Sequence, residues 1–409
     1  MLFFIHNLFS QRNSKKVRVR ATIELDMVFV FLVLGLLAFG WIMVTSASMV
    51  SANYDYQNPY FYCVRQGFFF AILGVSAMIC ALLVPTDNYQ KIYKFWVLVA
   101  FVLLVAVLIP HIGREVNGSC RWIPLLLINV QVSEVVKLCA IMYFSSYLVR
   151  FEGVARKTFK GLIKPLIILA AMAGLLLKEP DFGASVVMFT CVFGIMFMAG
   201  LKLRWFIILI VLGVIAATFL VLFEPYRLAR LNSFLHPWAD PNNKGYQLVQ
   251  ALISYGRGGW FGDGLGSGIQ KQFFLPEAHT DFIVSVIAEE LGAVGVIVLL
   301  IVYTYLIWKG MKIASFAYVL NRHFQSYVAY GISFWIAFQV IVNISVNIGL
   351  LPTKGLTLPL ISYGGSSLLI MCFSLGILLR IDFENKITTD KIMPRYVHKK
   401  VSYEKANTL

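Results

Sequence analysis

The chain has 409 residues, 59% of them hydrophobic and only 13% charged, with a mean hydropathy of +0.78. These values exclude an ordinary soluble globule and predict an all-α polytopic integral membrane protein. The formal charge of +15 would suit a nucleic-acid binder, but the lysines and arginines stand in short segments between apolar runs and at both tails; that is the positive-inside pattern, and no nucleic acid is expected.

A spanning helix needs about 20 apolar residues, and the sequence offers about ten such runs. A basic tail over 1–24, with Arg12, Lys15, Lys16, Arg18 and Arg20, precedes the first run near Met27–Ser46. It is expected to stay cytoplasmic, and the first run is read as a retained helix rather than a cleaved signal. Further spans are predicted near 64–84, 95–110, from Gln131, 165–177, to Gly200, 206–223, 282–308, 327–351 and 366–379. Lys91, Lys94, Arg150, Arg156, Lys157, Lys202, Arg204, Lys309, Lys312 and Arg322 mark the inner turns. Both termini are therefore expected inside, a transmembrane domain over 25–380 is followed by a polar, basic tail over 381–409, and no internal repeat or second domain is visible. Four of the six cysteines lie in apolar runs and none forms a CxxC pair, so neither a metal framework nor a Cys63–Cys120 bridge is expected.

Between the seventh and eighth spans lies a large outer loop, 224–281, too long for a simple connection. Its aromatic residues, among them Trp238, Trp260, Phe261, Phe273 and Phe274, suit the membrane interface. The glycine run GRGGWFGDGLGSG from Gly256 lacks the ending and the preceding strand of a nucleotide loop. Tight turns are the favoured reading; the alternative is an anion such as a lipid pyrophosphate, with Arg257 and Lys271 close in sequence. Asp281 stands where this loop enters span eight, after Glu277, His279 and Thr280. Its bland role is an acidic first-turn residue; its functional role is a partly desolvated base. Glu289 and Glu290 fall about 12 Å further along at the helical rise, so they are expected inside the bilayer and in need of partners.

At the start of span four, Glu134 and Lys137 share a helix face. Mutual neutralisation is one reading, but an intramembrane lysine normally faces a cavity, and a cavity is favoured. Arg121, Trp122 and Lys354 are expected on the same outer side, and converging cations suggest an anionic ligand. In KEPDFG, from Lys178, Glu179 and Asp181 either bind a cation or order the outer face.

The segments RWI at Arg121, SEVVK at Ser133, EPDFG at Glu179, GYQLVQALISYGRGGWFGDGLG at Gly245, LPEAHTDF at Leu275, AEELG at Ala288 and PTKGLTLPLISYGGSS at Pro352 together resemble the SEDS family (shape, elongation, division and sporulation), nearer its division branch than its elongation branch. Leu126 and Val132 depart from the glycine and proline often found there. The resemblance implies a peptidoglycan glycosyltransferase that polymerises lipid II in the bacterial inner membrane at the septum, beside a class B penicillin-binding transpeptidase and other division proteins. It also implies that Asp281 is the catalytic residue. The substrate-binding set is expected to be Arg121, Trp122, Glu134, Lys137, Lys354, His279 and Arg257. No metal ligand is assigned, and a divalent cation is the one cofactor left open. The chemistry agrees: a donor sugar that already carries pyrophosphate needs no strong general acid, whereas the acceptor hydroxyl must lose a proton to a base. Two further readings stand beside this one, a lipid II flippase or transporter and a non-catalytic scaffold; a transporter would gather its polar groups near the midplane on broken helices.

Overall fold

A computed structural model describes residues 25–116, 119–124, 129–151, 160–223, 225–243 and 245–406. The expectations for the basic tail over 1–24, Leu126, Arg156 and Lys157 lie outside them. The helices are α1 (Met27–Tyr56), α2 (Phe61–Gly67), a π-helical turn (Phe68–Gly74), α3 (Val75–Leu83), α4 (Thr86–Lys91), α5 (Tyr93–Leu108), α6 (Val132–Arg150), α7 (Lys160–Lys178), α8 (Phe182–Met198), α9 (Leu203–Leu222), α10 (Pro225–Leu235), α11 (Tyr246–Gly258), α12 (Ile283–Val319), α13 (His323–Asn347) and α14 (Gly365–Ala406). Among the described residues, seven helical segments are long and apolar enough to cross a membrane, and three shorter apolar helices, Tyr93–Leu108, Phe182–Met198 and Leu203–Ile215, accompany them. A polytopic helical membrane protein is therefore what the composition dictated, since only satisfied backbones tolerate hydrocarbon. The basic tail after residue 380 continues as the last part of α14.

α6 lies in the middle of the bundle: nearly all its side chains from Val132 to Leu148 are buried. α13, likewise mostly buried, packs beside it, and α12, α8 and α14 pack against α13. At one end of the bundle, Glu384 of α14 is bonded by Arg322, Arg380 and Thr86, and Lys309 pairs with Asp26 ahead of α1. Residues counted as inner cations in the sequence thus staple helix ends together.

Two features depart from the purely helical expectation. The segment after α5 forms a small antiparallel sheet of β1 (Arg114–Val116), β2 (Ser119–Pro124) and β3 (Asn129–Gln131), in that order. Strands this short carry almost no period-two pattern, so nothing in the residue order announced them. The large outer loop, in turn, folds into α10, a 3₁₀ turn (Pro237–Ala239), α11 and a coil that lies against the head of α12.

That coil explains the glycine run. α12 is broken at Gly292, whose φ of 69° and ψ of −172° belong to backbone space that is open essentially to glycine alone. A break leaves four orphan groups on each side. Here the carbonyls of Glu289 and Glu290 accept from the amides of Asp263 and Gly264, and the amides of Ala293 and Val294 donate to the carbonyls of Gly259 and Trp260. The coil therefore caps both ends of the interrupted helix. Residues 293–319 alone give about 40 Å, enough to cross the bilayer. Glu289 and Glu290 accordingly belong to a half-helix wrapped in loop, and the partners they were expected to need are Arg257, Lys271 and the amides of the coil.

Candidate active site

Site construction begins with the bulge in the β1–β2 pair. Arg114 pairs with Trp122 and Glu115 with Cys120, so Arg121 is the extra, unpaired residue. A bulge re-aims the side chain it carries. The Arg121 guanidinium donates from Nε to the carbonyl of Glu179 at 3.2 Å and from Nη2 to that of Pro180 at 2.6 Å. These two bonds fix the fork and leave donors over for a ligand, since an arginine has five. The EPDFG turn is the partner that makes this possible. Asp181 caps α8 through the amide of Ala184 at 3.1 Å, so its side chain orders the outer face. Glu179 is wholly buried and neither of its carboxylate oxygens has a hydrogen-bond partner among the described residues. Burial, with Asp181 nearby, pushes it up to about 8 against the pull of Arg121, so it is held neutral at physiological pH.

Asp281 immediately precedes α12, and its backbone is clamped from two sides. Its carbonyl accepts from Asn343 and Asn347 of α13, each at 3.0 Å. The residues before it are tied to the loop ahead of α14, where Ser362 Oγ donates to the carbonyl of Thr280 at 2.6 Å and the amide of Tyr363 to that of His279 at 2.9 Å. The carboxylate itself lies against the Cα of Gly355, where a β-carbon would stand 3.0 Å from Oδ2. Asp281 is half-buried and lines the cavity. This burial, reinforced by Glu277, raises its carboxyl to about 7, while Arg121 and Arg230 pull the other way. A carboxyl near neutrality is poised to take and release a proton.

A single space of about 1030 Å³ at one end of the helix bundle is lined by Arg121 and Asp281. Its wall includes Arg121, Trp122, Glu134, Asp281 and Lys354 of the expected set, and adds Arg114, Arg230, Tyr62 and Tyr363. Arg230 on α10 donates to the carbonyl of Thr353 at 3.0 Å, which ties the outer-loop helix to the segment carrying Lys354. The Lys354 ammonium stands 4.4 Å above the ring of Phe182. Cations on five separate segments, Arg65 of α2 among them, thus face one space that also holds a carboxyl of raised pKa. Such an arrangement can bind an anionic leaving group and accept a proton beside it.

Three expected residues lie elsewhere. Lys137 is buried, with Nζ 2.6 Å from Glu134 Oε1, 4.8 Å above the ring of Trp335 and 3.5 Å from Gln339. It does not line the cavity; its partner Glu134 does. The expectation that Lys137 faces the cavity is corrected to the alternative, neutralisation within the bundle. Arg257 bridges Glu289 at 3.3 Å and Asp263 at 3.2 Å, away from the cavity, because the coil it belongs to is folded round α12. The amides of that coil are also occupied, Ile269 by Glu289 and Gly266 by Glu290, so the protein's own carboxylates fill the place an anion would take. His279 sits behind the wall, its ring 4.7 Å from Tyr62 and 5.6 Å from Tyr363, and burial lowers its basicity. Among the described residues, no three metal-ligating side chains cluster, and Cys63 and Cys120 are free.

The family model of the FtsW, RodA and SpoVE cell cycle proteins matches residues 27–387. A protein described as a probable peptidoglycan glycosyltransferase FtsW, from Francisella salina, is 58% identical over 403 residues, 98% of this chain and 100% of that one. The protein so described in Allochromatium vinosum is 51% identical over 368 residues, covering 89% and 91%. Among solved structures, a chain from a peptidoglycan synthase complex that coordinates polymerization and crosslinking is similar at 30% identity, with a TM-score of 0.70 and coverage of 88% and 98%. The rod shape determining protein RodA of Thermus thermophilus is similar at 26% identity and a TM-score of 0.65, over 88% and 97%.

Proposed function

The chain belongs to the FtsW, RodA and SpoVE family of cell cycle proteins, the family its SEDS motifs suggested, and from that membership we propose how its outer cavity performs the family's chemistry. The protein is a multi-pass membrane peptidoglycan glycosyltransferase, a polymerase of lipid II. In our reading Asp281 is the general base. It takes the proton from the acceptor sugar hydroxyl as that oxygen attacks the anomeric carbon of the donor. The bond from that carbon to the pyrophosphate oxygen breaks, the configuration inverts, and undecaprenyl pyrophosphate leaves. Arg121, Arg230 and Lys354 stabilise the charge that gathers on the leaving group. Trp122 and Glu134 line the same space; Lys137 acts on it only through Glu134, and His279 only through the rings in front of it.

The observation that carries this reading is the single cavity in which a carboxyl raised to about 7 meets arginines and a lysine from separate segments. All of these groups lie at helix ends or in connecting segments, which suits chemistry at a membrane surface better than carriage through the midplane. A class B penicillin-binding transpeptidase is the proposed partner, with other division proteins at the septum and both termini in the cytoplasm. The test is polymerisation of lipid II by the purified chain in liposomes, with and without the transpeptidase. Glycan strands from the wild type and none from Asp281→Asn are expected; strands of normal yield from the variant would overturn the assignment of the base.

A further inference from the structure

The cavity wall is chemically divided. Arg121, Arg230 and Lys354 make one group, and Asp281 lies within electrostatic reach of the two arginines. A second group consists of Tyr56 at the end of α1, Tyr62 of α2 and Tyr363 ahead of α14, with Arg65 one turn beyond Tyr62. The tyrosines form a continuous aromatic surface: the ring of Tyr62 meets that of Tyr363 edge-on at 5.0 Å and that of Tyr56 at 5.8 Å. Residues behind the wall brace it. Phe61 stacks on Tyr56 at 3.8 Å, and His279 touches both Tyr62 and Tyr363. The bond from the Tyr363 amide to the His279 carbonyl fixes this surface to a residue only two before Asp281.

We infer that Tyr56, Tyr62 and Tyr363 form the seat of the acceptor sugar ring, an N-acetylated amino sugar presented to Asp281 from the side away from the pyrophosphate. The inference rests on the polymerase reading above and divides its two substrates. A pyranose ring has an apolar face of C–H bonds and a rim of hydroxyls. Tyrosine matches both, with a ring whose negative face attracts C–H groups and a hydroxyl that bonds at the edge. Pyrophosphate demands cations and must sit with the arginines. The base must touch the acceptor hydroxyl, and Asp281 is linked to both groups: it lies within electrostatic reach of Arg121 and Arg230 and two residues after the carbonyl that holds Tyr363. The sugar that lacks phosphate near its reacting oxygen is therefore the one on the tyrosines, and Arg65 is placed at its edge to donate to an amide or hydroxyl oxygen.

The test is binding, so it does not depend on turnover. The purified full chain in detergent is titrated with the phosphate-free disaccharide repeat of peptidoglycan and separately with an isoprenyl pyrophosphate. Tyr62→Leu and Tyr363→Leu are expected to weaken the disaccharide at least about tenfold, which is about 1.4 kcal/mol, and to leave pyrophosphate binding unchanged. Tyr62→Phe and Tyr363→Phe keep the ring and should stay within about threefold of wild type. Should a leucine variant lose its folding transition, Tyr56→Leu, at a position 48% exposed, makes the same test with little risk to the fold. Disaccharide bound equally by wild type and folded leucine variants, or not bound by the wild type at all, overturns the seat. Binding that shifts as expected in a protein that makes no strands with its partner present would leave the seat standing and remove the polymerase reading.

Discussion

Asn347 donates from Nδ2 to the carbonyl of Asp281 at 3.0 Å, while its Oδ1 accepts from both the amide and the hydroxyl of Ser285, at 3.2 and 2.8 Å. One side chain of α13 thus sets the height of the proposed base and caps the first turn of the helix that follows it. Asn343, one turn earlier, shares the Asp281 carbonyl and reaches that of Leu356 at 2.6 Å, so the loop beside the carboxylate is held by the same pair.

Replacing Asn347 by alanine leaves the Asp281 carbonyl with Asn343 alone and takes from the buried Ser285 hydroxyl its acceptor. A loss of about 1–3 kcal/mol of stability is expected, together with a lower kcat at nearly unchanged KM, because Asp281 loses its register with the acceptor. Thermal unfolding and polymerisation kinetics check both. Destabilisation with an unaltered kcat would reduce the asparagine to a brace.

The raised carboxyl of Asp281 fixes a pH dependence. As a base it works only when ionised, so polymerisation should rise through about pH 7. Stability runs the opposite way. The unfolded carboxyl titrates near 3.8 and the folded one near 7, so the folded state binds the proton more tightly, and stability falls as pH climbs from the lower value to the upper. Asp281→Asn removes that penalty. At pH 8 the inactive variant should be the more stable protein, by on the order of 2 kcal/mol once solvent in the cavity is allowed for, and the advantage should vanish near pH 4. Melting curves at the two pH values decide it.

Gly355 offers a subtler probe of the same carboxylate. A β-carbon there would stand 3.0 Å from Asp281 Oδ2, tight enough that the carboxylate must shift by a few tenths of an ångström. Gly355→Ala should leave the melting point within a few degrees while lowering kcat about tenfold or more, since small misplacement of a reacting group is expensive. A variant with wild-type kcat would show that the carboxylate tolerates the shift.

The membrane class and the gathering of Asp281, Arg121, Trp122, Glu134 and Lys354 round one space were legible in the sequence, because charge is conspicuous inside an apolar chain. Arg257 was misplaced because sequence does not show which distant carboxylate will pair with a cation, and Glu289 does so only once the coil folds round α12. For Lys137 the partner Glu134 was visible three residues earlier, and the cavity was favoured over it. Gln339, Asn343 and Asn347 went unread although their spacing of four puts three amides on one face of an otherwise apolar span, a pattern that marks a polar path. Arg230 and the tyrosines carried no such signal. One arginine in an amphipathic outer helix and three aromatic residues at a membrane interface are ordinary until the fold brings them to one wall.

The break in α12 makes the last prediction, and it separates the loop's architecture from its chemistry. Lys271 reaches Glu290 at 2.5 Å and Ser46 at 2.9 Å, with both charged groups buried, so the coil is pinned to α1 and α12 by one ion pair. Removing one partner strands the other charge, which costs about 3–5 kcal/mol, whereas replacing both by groups of similar volume is often nearly neutral. Lys271→Met should therefore destabilise strongly, and Glu290→Leu likewise, while the double variant recovers most of the loss. Gly292→Ala admits no such rescue, because its φ is closed to alanine and its β-carbon would stand 2.4 Å from the Trp260 carbonyl oxygen. Unfolding of the four variants, read with limited proteolysis between Gly256 and Leu275, tests the scheme. A double variant no more stable than its singles would mean that the coil is held by the backbone caps on α12 rather than by the ion pair.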